Sequence, residues 1–173
     1  NGVDTIFNLV ALLSATGEKN PQLAWNINMG ALSALSLPAM KLNAGDEIDG
    51  NGKSITGLNM AEDATAIFGD TNNLNIHDLT PNDCSVNTTL QTGAGILVGL
   101  VANGLTVDNV TFNNCSVVAP RMIGLVAGQL SKGVFNISNV TANGGLVETS
   151  FVSSKSGIAG GLVGYIVNST ATF

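Results

Sequence analysis

Apolar residues along most of this chain recur in short runs rather than at helical spacing. Leu74 to Val86 reads LNIHDLTPNDCSV, Leu105 to Val117 reads LTVDNVTFNNCSV, and Phe135 to Val147 reads FNISNVTANGGLV. Laid over one another, Ile76, Val107 and Ile137 share a position, as do Leu79, Val110 and Val140. Thr80, Thr111 and Thr141 align too, and Asn82, Asn113 and Asn143 complete the register. A looser copy, SITGLNM, puts Ile55 and Leu58 in the paired apolar positions. A second phrase, apolar and flanked by glycine, occupies the other half of each period: AIFGD, ILVGL, GLVAG and GLVGY. Ile67, Leu97, Leu125 and Leu162 take equivalent places in it.

A period of about 30 residues, built from short β-type runs with Gly and Asn between them, predicts one coil of a parallel β-helix per repeat. Coils stacked through parallel ladders about 4.8 Å apart bring like residues onto like. Ile76, Val107 and Ile137 are therefore expected in one vertical column. One coil cannot bury its inner face alone, which is the physical reason for repetition. In this reading the glycines turn the corners, and ETSFVSSKSGIA loops out as an insertion.

Two elements precede the repeats. VDTIFNLVALLSATG predicts a helix, with Asp4 as cap, Ile6, Leu9, Val10 and Leu13 on one face, and Gly17 at its end. LAWNINM alternates as a half-buried strand, with Leu23, Trp25, Ile27 and Met29 on the inward face. The following GALSALSLPAMKLNAG is weakly patterned and reads as a loop or short strand. The expected organisation is residues 1–45 as a helix and strand that cap or lead into the solenoid, and 46–173 as one continuous β-helix. The fold class is all-β.

IDGNGKSITGLNM and GGLVGYI together resemble the GLUG-repeat proteins found in bacterial surface adhesins and near IgA-specific peptidases. The residues that carry the likeness are Asp49, Gly50, Asn51, Gly52, Ile55 and Leu58, then Gly160, Gly161, Leu162, Val163 and Gly164. It spans Ile48 to Ile166. The resemblance implies a right-handed parallel β-helix on a secreted or surface-anchored protein, and it implies no catalytic residues.

Composition narrows the partners. Only 10% of residues are charged against 45% hydrophobic, so Asn, Ser, Thr and Gly must build the surface. The net charge of −6, with six scattered Lys and Arg, excludes a cationic face for nucleic acid. No apolar run reaches the roughly 20 residues of a membrane-spanning helix. The absence of an initial Met predicts a processed chain or a fragment.

Candidate chemistry is sparse. His77, Asp108 and Ser138 align in three successive coils, but stacking puts Asp108 between the other two, whereas a triad needs the base in the middle. Asp46, Glu47, Asp49 and Asn51 surround a turn and offer the oxygen ligands that calcium takes; Asp is equally favoured there for local backbone hydrogen bonds. Asp78 and Asp83 likewise flank turns, and Arg121 has no acidic partner in register. No catalytic residue, cofactor or metal site is expected. The aligned Asp78, Asn109 and Asn139, and Asn82, Asn113 and Asn143, predict stacked amide ladders. Cys84 and Cys115 stand one coil apart at a separation a disulfide tolerates; the alternatives are a disulfide between coils and two stacked thiols. Asn87, Asn109, Asn114, Asn136, Asn139 and Asn168 head N-glycosylation sequons.

The last phrase, GLVGYIVNSTATF, begins a coil that the sequence does not finish, and an open β edge is usually paired. The expected role is a non-catalytic extracellular structural or adhesive module, stacked end to end in a surface stalk or filament with copies of itself or neighbouring domains. Glycans or host cell-surface molecules are further expected partners. The alternative is a carbohydrate-binding or carbohydrate-processing β-helix, for which exposed Trp or Tyr would be the mark; Tyr165 is the free candidate.

Overall fold

The computed structural model describes residues 22–23, 26–29, 45–62, 64–150 and 157–173. Every regular element among them is a β-strand and every pairing is parallel, forming a solenoid of about four turns. A short β1 (Ile27–Asn28) leads in. The first turn holds β2 (Glu47–Thr56) and β3 (Asn59–Glu62), and the second holds β4 (Thr71–Asn82), β5 (Ser85–Thr88) and β6 (Ala94–Gly95). The third holds β7 (Val98–Asn113), β8 (Ser116–Ala119) and β9 (Ile123–Gly124). The fourth holds β10 (Ala127–Asn143) and β11 (Leu146–Thr149), and β12 (Val163–Val167) and β13 (Thr170–Thr172) lie on its far side.

A long sheet runs β1-β2-β4-β7-β10-β12, with β13 also on β10. A four-stranded sheet runs β11-β8-β5-β3, and β6 pairs with β9. The helix expected over Asp4 to Gly17, the inward placement of Trp25, and nearly all of residues 30–45 lie outside the described residues. Leu23, Ile27 and Met29 are buried as the alternation requires. Among the described residues, no helix is long and apolar enough to cross a membrane.

The predicted column is present and one rung longer than the repeat alignment gave: Ile48, Ile76, Val107 and Ile137 pair in succession. Leu74, Leu105 and Phe135 form a second column, and Met60, Val86, Val117 and Val147 a third. Each inner side chain is covered above and below by its equivalent, so burial is shared between turns.

Three details of the sequence reading need correction. Ile55, expected level with Ile76, pairs instead with Pro81, and Ile48 takes the expected place. Gly95 pairs with Gly124 and Val98 with Ala127, which puts Val126, not Leu125, level with Leu97. The recurring glycines also serve a different purpose from the expected one. Gly95 and Gly99, Gly124 and Gly128, and Gly160 and Gly164 flank the apolar phrase in each turn, yet none takes a left-handed φ. They are required for space: a Cβ on Gly128 would lie 2.1 Å from the backbone nitrogen of Ala94, and one on Gly164 2.4 Å from that of Ile123.

Left-handed corners are shared between Asn and Asp and other glycines, among them Gly69 in AIFGD and Gly57, Gly144 and Gly145. Asp78, Asn109 and Asn139 have φ of 54°, 52° and 50°, and Asp83 and Asn114 have 49° and 51°. Short polar side chains tolerate this region better than other residues with a Cβ. The amide ladder is formed: Asn143 Nδ2 donates to Asn113 Oδ1 at 2.9 Å, Asn113 to Asn82 Oδ1 at 2.8 Å, and Asn82 to Thr56 Oγ1 at 3.2 Å.

Candidate functional site

Two features stand apart from the regular stack. The first is a polar patch where β2 meets β4. Outward residues Asp49, His77, Asp108 and Ser138 form one column, because the register that stacks Ile48 to Ile137 inside places their chain neighbours outside. Ser138 Oγ donates to Asp108 Oδ1 at 2.7 Å, and Asn139 Nδ2 donates to the same oxygen at 2.8 Å. His77 is engaged elsewhere. Its Nε2 lies 2.7 Å from Glu47 Oε1, while its Nδ1 lies 2.8 Å from Asp78 Oδ2 and 3.7 Å from Asp49 Oδ1. The order along the column is the one that rules out a Ser–His–Asp relay, since the acid sits between nucleophile and base.

The two aspartates beside His77 are fixed from behind. Gln22 Nε2 donates to Asp49 Oδ2, and Asn109 Nδ2 donates to Asp78 Oδ1. The backbone N–H of Asn51 donates to Asp49 Oδ1 at 2.7 Å, the local turn contact anticipated for this acidic stretch. The hydrogen bond to Asp78 leads in raising the His77 pKa above its ordinary value, with Glu47 and Asp49 adding to it against partial burial. The same bond, with that from Asn109, holds the Asp78 carboxyl below its usual range. Donation by Ser138 and Asn139 does likewise for Asp108. This four-residue gathering of Glu47, Asp49, His77 and Asp78 escaped the sequence reading, which considered His77 only in line with Asp108 and Ser138. The available signal was the recurrence of Ile followed by a polar residue at 48–49 and 76–77, hidden because the first copy of the repeat is loose.

The second feature is the end of the stack. Val101 and Leu130 are sealed, whereas Ile166, next in their column, is 38% exposed. Val140, Val147, Leu162, Val163 and Ala171 are only partly buried against the core. Leu146 and Phe173 are exposed at the same end. Tyr165 is exposed too, in an outward column with Leu100 and Gln129.

Cys84 and Cys115 are free, buried thiols at the start of the four-stranded sheet. Cys84 Sγ lies 3.3 Å from the carbonyl oxygens of Ile55 and Asn82, and the neighbouring Cys115 together with burial pushes its pKa up. All six sequon asparagines are exposed. Asn109, Asn139 and Asn114 nevertheless spend their amide nitrogens on Asp78, Asp108 and Asp83.

No family model matches the chain, and no solved structure matches it. Among curated proteins, 29 residues are 66% identical to a segment of an uncharacterized epimerase/dehydratase of Staphylococcus haemolyticus. Similarly named proteins of Staphylococcus saprophyticus and Staphylococcus aureus are 62% identical over 29 residues. The match covers 17% of this chain and 9% of each relative, so the chain spans less than a tenth of their length.

Proposed function

We infer that the chain is a structural length of β-solenoid that stacks end to end, without catalysis, in an extracellular stalk or filament. The observation that carries this reading is the repeated column, in which Ile48, Ile76, Val107 and Ile137 stack through parallel pairing, so that each turn presents the surface on which another of its kind can pack. An apolar cross-section bordered by unpaired strand backbone fits another coil of the same kind, joined by strand addition. The occupant proposed is a second copy of this chain. The GLUG-like phrases and the charge-poor surface support an extracellular setting, in which Cys84 and Cys115 would close a disulfide between coils and Asn87, Asn136 and Asn168 would be the accessible glycan acceptors. The short epimerase/dehydratase match brings no activity with it, because nine-tenths of those relatives has no counterpart here.

Sedimentation velocity across a concentration series, with electron microscopy of the same samples, tests the reading. Wild-type protein is expected to form linear assemblies that Ile166→Lys disperses. A wild-type monomer at every concentration would overturn end-to-end stacking, and a monomer that binds glycans would favour the carbohydrate-binding alternative.

A further inference from the structure

We propose that His77 Nδ1, Asp49 Oδ1 and Asp78 Oδ2 form a binding site for a divalent transition-metal ion of the zinc type, clamping the first turn of the solenoid to the second. These three atoms converge: all lie within 4.8 Å of one another, and Nδ1 stands 2.8 Å from Asp78 and 3.7 Å from Asp49. Ligand atoms held at ordinary zinc bond lengths of about 2.0–2.2 Å around a tetrahedron stand about 3.3 Å apart. The two separations from Nδ1 straddle that figure and the two carboxylate oxygens lie within 4.8 Å of each other, so side-chain rotation alone can gather the three around an ion.

In the tautomer that carries its proton on Nε2, Glu47 Oε1 accepts it across 2.7 Å. In the neutral ring Nδ1 is then a bare lone pair, and it faces two carboxylate oxygens. Asp49 Oδ1 already accepts the Asn51 N–H, yet it keeps a further lone pair that a cation shared with Nδ1 and Asp78 Oδ2 would use. A proton on Nδ1 satisfies one near oxygen; a divalent ion satisfies all three groups together.

The surroundings follow the pattern of a supported metal site, in which the far atom of each ligand is held by an outer partner. Glu47 holds the imidazole, Gln22 holds the other oxygen of Asp49, and Asn109 holds the other oxygen of Asp78. An imidazole among the donors selects zinc, nickel or copper over calcium and magnesium, which prefer oxygen alone. Three protein ligands leave a fourth position for water.

Calorimetric titration of the full chain, stripped with chelator, against zinc chloride is the test. One equivalent is expected to bind, with a rise in the thermal midpoint that chelator reverses. His77→Ala should abolish binding, while Glu47→Gln should weaken it by about 10–100-fold, as loss of an outer partner does. Asp108→Asn, one rung beyond the ligands, should leave it unchanged. As a check independent of any variant's folding, zinc should shift the His77 Nδ1 nitrogen resonance of the wild-type protein. Absence of zinc binding, binding that survives His77→Ala, an unmoved resonance, or equal affinity for calcium would each overturn the assignment.

Discussion

The third and fourth turns on one side and the last strands beyond them on the other follow the same column pattern and meet different fates. Leu105 and Phe135 are sealed, while Ala171, on the next rung of their column, is half-buried; Val101 and Leu130 are sealed, while Ile166 is open. The difference lies in how many neighbours each rung has, not in its residue types. In a solenoid the hydrophobic core is held jointly by adjacent turns, so a turn with one neighbour keeps its shape but loses half of its cover.

The strongest way to break this comparison is to delete one large side chain from each region. Phe112→Ala, in the fully covered third turn, should cost about 3–5 kcal/mol, the usual range for a buried aromatic. Ile166→Ala should cost well under the roughly 2–5 kcal/mol of a buried aliphatic truncation, because its cavity already opens to water. Urea midpoints at low protein concentration measure both. Equal losses would mean that the last turn is covered after all. A loss for Ile166→Ala that grows with protein concentration would sharpen the comparison, since the cover would then come from a second copy.

A second contrast separates glycines within the apolar phrase. A Cβ on Gly128 meets the backbone of Ala94 and Gly93 at 2.1 and 2.4 Å, whereas one on Gly161 meets nothing within 4 Å. Gly128→Ala should therefore cost about 1–3 kcal/mol by overpacking. Gly161→Ala, in the last turn, should be neutral or stabilise by about 0.4–1 kcal/mol through the unfolded chain. The same unfolding curves decide it. If both substitutions were tolerated, steric need could not explain the recurring glycines.

The repeat was legible because the columns are made of like residues: Ile76, Val107 and Ile137, or Asn82, Asn113 and Asn143, announce themselves in an alignment of the chain with itself. What a residue does on its rung was less legible. Glycine signals freedom of φ in a sequence, yet at Gly95, Gly124 and Gly128 the cause is the close approach of another turn, which only the folded path defines. The exchange of Val126 for Leu125 has the same origin, since the corner before it has no side-chain signature to fix the step. The His77 cluster stayed hidden because two of its four members, Glu47 and Asp49, come from the irregular first turn, where Gly50, Asn51 and Gly52 bulge out of register between Asp49 and Lys53. Ion-pair geometry depends on such bulges, and a repeat alignment averages them away.

The smallest expected effect lies where the third turn meets the fourth. Asp108 accepts from Ser138 Oγ and Asn139 Nδ2, which hold its carboxyl below the ordinary range, while the negative charge of Asp78 works in the opposite direction. A carboxyl depressed in the folded state adds stability above its unfolded pKa, and that contribution is lost as pH falls through the folded value. Ser138→Ala removes the first of the two donors and leaves Asn139 in place. The Asp108 carboxyl resonance, followed by carbon NMR through an acid titration, should then move its midpoint upward, toward but not fully to the ordinary value. Because the group is exposed, the unfolding midpoint near neutral pH should hardly change. An unmoved Asp108 titration would mean that Ser138 does not reach back across the rung, and that polar columns on the outer face are less ordered than the apolar ones within.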